Sequence, residues 1–445
     1  MKHTTSDRAV VLGAGIAGLL AARAVAETHG EVVVVDRDPL EPGPSPRRGV
    51  PQGRHLHGLL ARGHDELEAT FPGLVAELVR AGAPQGDMLA NSRLCLGGHR
   101  FRQGLSGLAA LCVSRPALEA AIRRRVAALP NVTVLPRHDV VGLVGTVERV
   151  TGVRLIARAD GSPAVETPAD LVVDACGRGS RMPTWLELLG LPRPAHEEVR
   201  IGVAYATRTY RLPPGTLGDD LVALCGPTPA RPRGGALSLL EGGRCIVTLM
   251  GVLGDVPPTD PDAFLGFARD LALPDVYAAI AEAEPLDEPV THRHPTSVWN
   301  RYDRMRTFPQ GLAVVGDAVC ALNPIYGQGM TVAALEAGAL RRSLARGAGL
   351  DSAAFQRDVG RIAGGAWALA TGADLTFPEV EGKRTPLTRV LGGYVARLQS
   401  GASRDPRLGA AFLRVSSLID PPSALFRPTT VLGAMRAGQP ALSPG

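Results

Sequence analysis

The sequence predicts an α/β fold in three parts: a Rossmann-like parallel sheet, an antiparallel sheet interleaved with it, and a helical C-terminal region. Three observations predict it. An apolar run, Ala9-Val-Val-Leu12, ends in Gly13-Ala-Gly15-Ile-Ala-Gly18. A second, Leu312-Ala-Val-Val315, ends in Gly316-Asp317 some three hundred residues later. Between Val199 and Val252 the pattern changes to segments of alternating apolar and polar residues, which suit an antiparallel sheet.

The first unit reads strand, glycine turn, helix from Ile16 to about Thr28, then the strand Val32-Val-Val-Val35 closing on Asp36. Gly13 permits a tight turn, Gly15 lets backbone approach a pyrophosphate, and Gly18 lets helix and strand pack closely. The helix N-terminus can then hold an anion. Asp36, eighteen residues past Gly18, is placed to accept from a ribose 2′-hydroxyl and argues against a 2′-phosphate. NAD and FAD are not distinguished at this point.

Pro39 to Pro51 is loop, because repeated prolines fix φ and remove donors. Gly53-Arg54-His55-Leu-His57 leads into a helix ending at about Thr70, before Phe71-Pro-Gly. Short strands and glycine turns fill Ala83 to Cys112. Ser114 caps the next helix and Pro116 fits its first turn. Val132 to Val153 reads as strands, and Asp170 to Asp174 as a strand entering Cys176-Gly177-Arg178-Gly179-Ser180. Gln328 to about Arg346 is a long helix, and the tail alternates helical stretches with proline breaks.

Length and composition bound the function. With 445 residues, 45% hydrophobic and 20% charged, the chain can bury a large core, organised as two interleaved domains. The six cysteines are scattered, without a C-x-x-C pair or histidines at ligand spacing, so neither a disulfide framework nor a metal site is expected. The first strand begins too early for a cleavable leader and no run is long and apolar enough for a membrane span, so the expectation is a soluble, cytoplasmic protein. The formal charge of +5 is spread along the chain, and its densest cluster, Arg123-Arg124-Arg125, is read as a solvated helix face, which disfavours nucleic acid as a partner.

Gly327-Gln328-Gly329 starts a helix after Asn323-Pro324-Ile-Tyr326. If the Leu312 strand lies beside the first one, Asp317 can accept from a polyol hydroxyl. The helix start, with roughly half a positive charge, can face the electron-rich edge of a flavin. A nicotinamide needs no such second anchor.

Gly316-Asp317 with Pro324-Ile-Tyr-Gly327-Gln328-Gly329-Met330 resembles the ribityl-binding motif of FAD-dependent monooxygenases of the aromatic-hydroxylase fold. Together with Gly49-Val-Pro51-Gln52-Gly53-Arg54-His55-Leu-His57 and Asp174-Ala-Cys-Gly177-Arg178-Gly179-Ser180, it is similar within that superfamily to the bacterial polyether epoxidases, over most of the chain to about residue 375. The resemblance implies FAD, and transfer of one oxygen atom from molecular oxygen, through a flavin C4a-hydroperoxide, to an alkene of an apolar small-molecule or carrier-bound polyketide. It implies that Gly13, Gly15, Ala17, Gly18, Asp36 and Arg37 hold the ADP half. Arg115 would meet the phosphate or ribityl region, Val140 the adenine through its backbone, and Asp317 the ribityl chain. Pro324, Gly327, Gln328, Gly329 and Met330 would lie along the isoalloxazine, with Arg54, His55 and His57 at flavin or substrate. Arg115 has an alternative as the i,i+4 partner of Glu119, and the histidines one as capping or solvated residues. On this reading residues 1–82, 113–195 and 301–350 form the FAD-binding domain, 83–112 and 196–300 the substrate-binding sheet, and 351–445 the helical region.

The middle motif departs from the family pattern: aromatic hydroxylases carry Asp-Gly where this chain has Cys176-Gly177. NAD(P)H is therefore expected as electron source either directly or through a separate flavin reductase. Cys176 itself is read as a small buried residue in a tight turn. An alkene needs no general base from the protein; a phenol would be helped by one, with His55 or His57 the candidates. A halogenase would need a lysine between flavin and substrate and a Trp-x-Trp-x-x-Pro motif, whereas the lysines are Lys2 and Lys383 and the tryptophans Trp185, Trp299 and Trp367. A flavin reductase of isoprenoid alkenes remains an alternative, as does a phenol hydroxylase.

Overall fold

The computed structural model describes residues 7–347 and 349–437. Its first sheet has five parallel strands in the order Leu312–Val314, Leu171–Asp174, Arg8–Leu12, Glu31–Val35, Val132–Leu135. Ala9 to Leu12, Val172, Val173 and Leu312 to Val314 are wholly buried, as expected of strands covered on both faces. From the central Arg8–Leu12 strand the chain builds outward in both directions. The crevice at the carboxyl ends of Arg8–Leu12 and Leu171–Asp174 is thus a topological switch point, where such sheets take ligands.

A nine-stranded sheet forms the second layer. His196–Arg211 is its spine, pairing antiparallel with Val290–Asn300 on one side and Arg244–Gly251 on the other. A bulge at Arg200 to Val203, where Gly202 takes φ +66°, bends the spine. One pairing is parallel, Ser92–Leu96 with Val222–Cys225. At the far edge Cys320–Ala321 pairs with Val298 and Trp299, so the chain passes directly from the Gly316 turn of the first sheet into the second. Val150–Ala157, His138–Gly145 and Ala164–Pro168 make a separate antiparallel sheet.

The predicted elements form, with shifted ends. The first helix is Ile16–Val25, closed by a turn before Thr28. Ser114 Oγ accepts from Ala117 N–H at 3.3 Å and Pro116 sits in the first turn of Arg115–Ala127. The helix expected to follow Gly53 to Leu60 is Ala61–Thr70; ahead of it Pro51–Arg54 is a 3₁₀ turn, and Leu56 N–H donates to Thr248 Oγ1 at 3.0 Å on the opposing sheet. The arginine cluster is less solvated than its sequence suggests. Arg125 Nε lies 2.8 Å from Glu77 and Arg123 donates to the carbonyls of Glu41 and Gly43, so it braces neighbouring segments. Trp299 and Trp367, remote in sequence, meet with ring centroids 5.7 Å apart in the core. Lys2 lies outside the described residues; Lys383 is exposed. Among the described residues no helix is long and apolar enough to cross a membrane, and no group of histidine, cysteine and carboxylate side chains could hold a metal.

Helices Ser352–Asp374, Pro386–Ala402, Pro406–Ser416 and Pro428–Ala437 follow among the described residues. Asp351 caps the first of them and a Thr385–Thr388 capping box opens the second.

Glycine spacing makes a testable statement about this frame. A Cβ on Gly18 would stand 1.8 Å from the Gly13 carbonyl oxygen, whereas one on Gly15 would meet nothing within 4 Å. Gly18→Ala is expected to cost about 1–3 kcal/mol of stability through overpacking, and Gly15→Ala only about 0.5 kcal/mol, as a poorer N-cap in open space. Urea unfolding of the two variants measures this; equal midpoints would contradict the packing role of Gly18.

Candidate active site

The two sheets and the C-terminal helices enclose a cavity of about 2000 Å³. Single ligand pockets occupy roughly 300–1,000 Å³, so there is room for a dinucleotide-sized molecule and a second ligand. One wall comes from the strand ends of the parallel sheet: Gly13, Gly15, Ala17, Asp36, Arg37, Arg115, Val140 and Asp317 all face the cavity, as do Pro324 and Gly327 to Met330. His55 and His57 face it too. Gly18 lies behind the wall in packing contact, in line with its expected role. Arg54 does not join the set. It ends the 3₁₀ turn with its side chain exposed, and the extended backbone that follows turns His55 inward instead.

The wall offers what a bound dinucleotide would need. The Ile16–Val25 helix starts at Gly15 with no side-chain cap, leaving its first N–H groups aimed at open space over Gly15. The Asp317 carboxylate takes no hydrogen bond among the described residues, and burial pushes its acidity down while Arg115 and Arg178 pull the other way. Gln328 is 3% exposed with Oε1 unpartnered. Asp36 is more committed. Its carboxylate accepts from Ala14 N–H at 2.7 Å and Asp38 N–H at 2.8 Å, and lies 3.3 Å from Arg47 Nη1. Arg115 keeps the i,i+4 contact with Glu119 at 3.3 Å while also lining the cavity.

Several residues here escaped the sequence reading. Arg47, inside the proline-rich loop, ties Asp36, Asp38 and Glu119 together at 2.7–3.3 Å and so pins that loop to the site. Asp374, at the end of Ser352–Asp374, accepts from Asn323 Nδ2 at 2.8 Å and Tyr326 Oη at 2.7 Å, which fixes the Pro324 loop from behind. Burial raises this carboxyl to about 6 against those two donors. The links from Arg47 to Glu119 and from Asp374 to Asn323 and Tyr326 have no local sequence signal, since those partners lie tens of residues apart.

The opposite wall is one face of the large sheet. Ile201, Tyr205, Ala236, Met250 and Val252 give it an apolar surface, and a polar track crosses it. His55 Nδ1 and Thr207 Oγ1 are 2.7 Å apart, and Thr207 and Thr248 hydroxyls are 2.7 Å apart. His292 stacks near His55 with centroids 5.4 Å apart, and Arg178 donates to His294 Nδ1. That bond leaves the proton of neutral His294 on Nε2, which has no acceptor. The alternation Val290-Thr-His292-Arg-His294 puts both histidines on one face, a period-two pattern visible in the sequence.

None of these histidines is tuned for proton abstraction near neutrality. Burial, then His292 and Arg54, lowers His55 to about 4; burial and Arg115 lower His57 to about 3; burial and Arg178 lower His294 to about 3. They are neutral hydrogen-bonding groups. Cys176 is a thiol and no nucleophile, because burial and the adjacent Asp174 raise it well above its ordinary value.

Under the Gly316 turn, Glu336 Oε2 accepts Gly316 N–H at 2.5 Å and is wholly buried; burial first, then Asp317, raises it to about 8. An acid with a raised folded value contributes stability fully below its unfolded value of 4.5 and loses it as pH rises to about 8. Glu336→Gln keeps the acceptor and removes the titration. The variant is expected to gain stability relative to the native chain between pH 5 and 8.5, measured by urea unfolding at both; a pH-independent difference would contradict a protonated Glu336.

No family model matches the chain. It is 37% identical to Protein Rv3254 of Mycobacterium tuberculosis over 433 residues, 93% of this chain and 90% of that one. It is 30% identical to a kynurenine 3-monooxygenase of Salinispora arenicola over 347 residues, covering 74% and 70%. The flavin-dependent brominase Bmp2 superposes with a TM-score of 0.67 at 16% identity, over 98% of each chain, a likeness of fold. Together with a dinucleotide cradle and a second ligand space in one cavity, the kinship with kynurenine 3-monooxygenase leads to the conclusion that this chain is an enzyme of the FAD-dependent monooxygenase superfamily of the aromatic-hydroxylase kind.

Proposed function

We propose that this enzyme places one oxygen atom from O2 on an apolar secondary-metabolite substrate, an alkene of a polyketide being the best match. The observation that carries the reading is the pairing of walls: an anion-holding glycine cradle faces an apolar sheet whose histidines are neutral. FAD, when bound, supplies the reducing electrons and the activated oxygen. We assign Gly13, Gly15, Ala17, Asp36, Arg37 and Val140 to its ADP half and Arg115 and Asp317 to its middle. Pro324 and Gly327 to Met330 are assigned to its ring. Residues 1–82, 113–195 and 301–350 form the cofactor-holding half on this assignment, and 83–112 with 196–300 the substrate half.

The chain's own contribution is placement and exclusion of water. Ile201, Tyr205, Met250 and Val252 offer an apolar bed for the substrate, and closing helices from the C-terminal region keep bulk water out. The Thr248–Thr207–His55 chain can hold one oxygen of the substrate. Alkene epoxidation asks for no base, which fits histidines held at about 3 to 4. Phenol hydroxylation is the second reading, favoured by the relative named a kynurenine monooxygenase.

Electrons come from NAD(P)H, directly or through a partner reductase, and the substrate is free or carrier-bound. The test is product mass under 18O2 with a panel of polyenes and phenols, supplied with NADPH alone and with an added flavin reductase. One 18O atom in a polyene product is expected. Unlabelled or hydrogenated product would overturn the oxygenase reading, and labelled phenols without labelled polyenes would select the aromatic alternative.

A further inference from the structure

The helix Pro386–Ala402 carries an apolar stripe at Leu387, Val390, Leu391, Tyr394 and Leu398, the spacing of one helix face. Its C-terminal half is sealed. Tyr394 stacks on Phe426 at 5.0 Å and donates to the Leu425 carbonyl, and Leu398 is wholly buried against Val415, Leu425 and Ala434. The N-terminal half is bare: Leu387 is 66% exposed, Val390 69%, Leu391 37%, and the neighbouring Phe426 47%. The last helix adds Leu432 at 52% and Met435 at 63%. Leu391 and Phe426 also line the cavity, so the bare stripe borders its mouth.

Charge is concentrated on the same segment. Residues 381–445 hold nine basic and three acidic side chains, while the preceding 380 residues hold 39 and 40. The positive surplus of the whole chain therefore resides here. Lys383, Arg389, Arg397 and Arg436 are exposed, and none has a carboxylate within ion-pair distance among the described residues. Arg384 is different: it donates to the carbonyls of Leu375, Phe377 and Val380 and so holds the base of the helix in place.

We propose that this C-terminal face docks on an anionic lipid bilayer, with Leu387, Val390 and Phe426 entering the headgroup boundary and Lys383 and Arg397 lying over acidic headgroups. Stable peripheral binding takes two signals, and an apolar insertion beside a basic cluster supplies both. A second copy of the chain fits worse, because an isologous pairing would set these arginines against themselves. That the bilayer also hands an apolar substrate to the cavity rests on the oxygenase reading; the docking does not.

Flotation of the full-chain, FAD-loaded enzyme with phosphatidylglycerol and with phosphatidylcholine vesicles tests it without any turnover. Binding about tenfold or more tighter to the anionic vesicles is expected, weakening as salt rises. Leu387→Glu with Val390→Glu should lower it about tenfold, and Lys383→Glu with Arg397→Glu should lower it and flatten the salt dependence. Unchanged circular dichroism and flavin content show that these exposed substitutions leave the fold intact. Equal affinity for both vesicles, no binding to either, or undiminished binding of the Leu387/Val390 variant would overturn the proposal. So would a concentration-dependent dimer that the same variant dissociates, or capture of an acidic carrier protein with vesicles ignored.

Discussion

Three strand-end turns meet with no room for a side chain at their glycines, and the rest of the site depends on that meeting. A Cβ on Gly13 would lie 2.7 Å from the Ala175 carbonyl oxygen, and one on Gly316 2.9 Å from Ala17 Cβ. The turns after Arg8–Leu12, Leu171–Asp174 and Leu312–Val314 can therefore close on a single crevice only while glycine stands at these points. Gly13 at φ +97° and Gly316 at φ +66° also use backbone conformations that other residues adopt at a cost. From this junction the chain enters the second sheet through Cys320–Ala321, which ties the two sheets that wall the cavity.

Buried carboxylates hold the junction from behind. Asp174 accepts Cys176 N–H at 3.0 Å and the Ser180 hydroxyl, Glu336 accepts Gly316 N–H, and Asp374 accepts Asn323 and Tyr326. Each satisfies donors that the tight turns would otherwise leave unpaired. All three sit where burial raises their values, so the supporting shell favours its protonated form further toward neutrality than solvent carboxyls do. Asp317 and Asp36 line the cavity instead, and burial raises Asp317 as well, against the pull of Arg115 and Arg178.

The parallel sheet was legible because its strands are continuous apolar runs that stop at glycine, a pattern with few alternatives. The Ser114 cap and the helix after Gly327 were legible for the same local reason. Arg47 was not, because nothing in Pro39 to Pro51 signals a partner 72 residues away at Glu119. His292 and His294 were half legible: period-two alternation puts them on one face, yet only the pairing with Val203 and Tyr205 shows that this face looks into the cavity. The helix Ala61–Thr70 was legible too, whereas the hydrogen bond from Leu56 N–H to Thr248 Oγ1 just ahead of it was not, because its partner lies on a distant strand.

The exchange of Asp-Gly for Cys176-Gly177 looks different once Asp174 is in view. The carboxylate is not lost from the turn; it stands two residues earlier, 0% exposed, and bonds the same turn from inside. The turn keeps its shape through Asp174, while its cavity side presents a protonated thiol, Gly177 and Arg178. A negative charge at that point would pull Arg178 toward itself. Its absence leaves the guanidinium to donate to His294 Nδ1 while Arg178 lines the cavity beside Cys176 and Gly177. A guanidinium at that point would suit an electron-rich oxygen of a ligand better than an acidic side chain would.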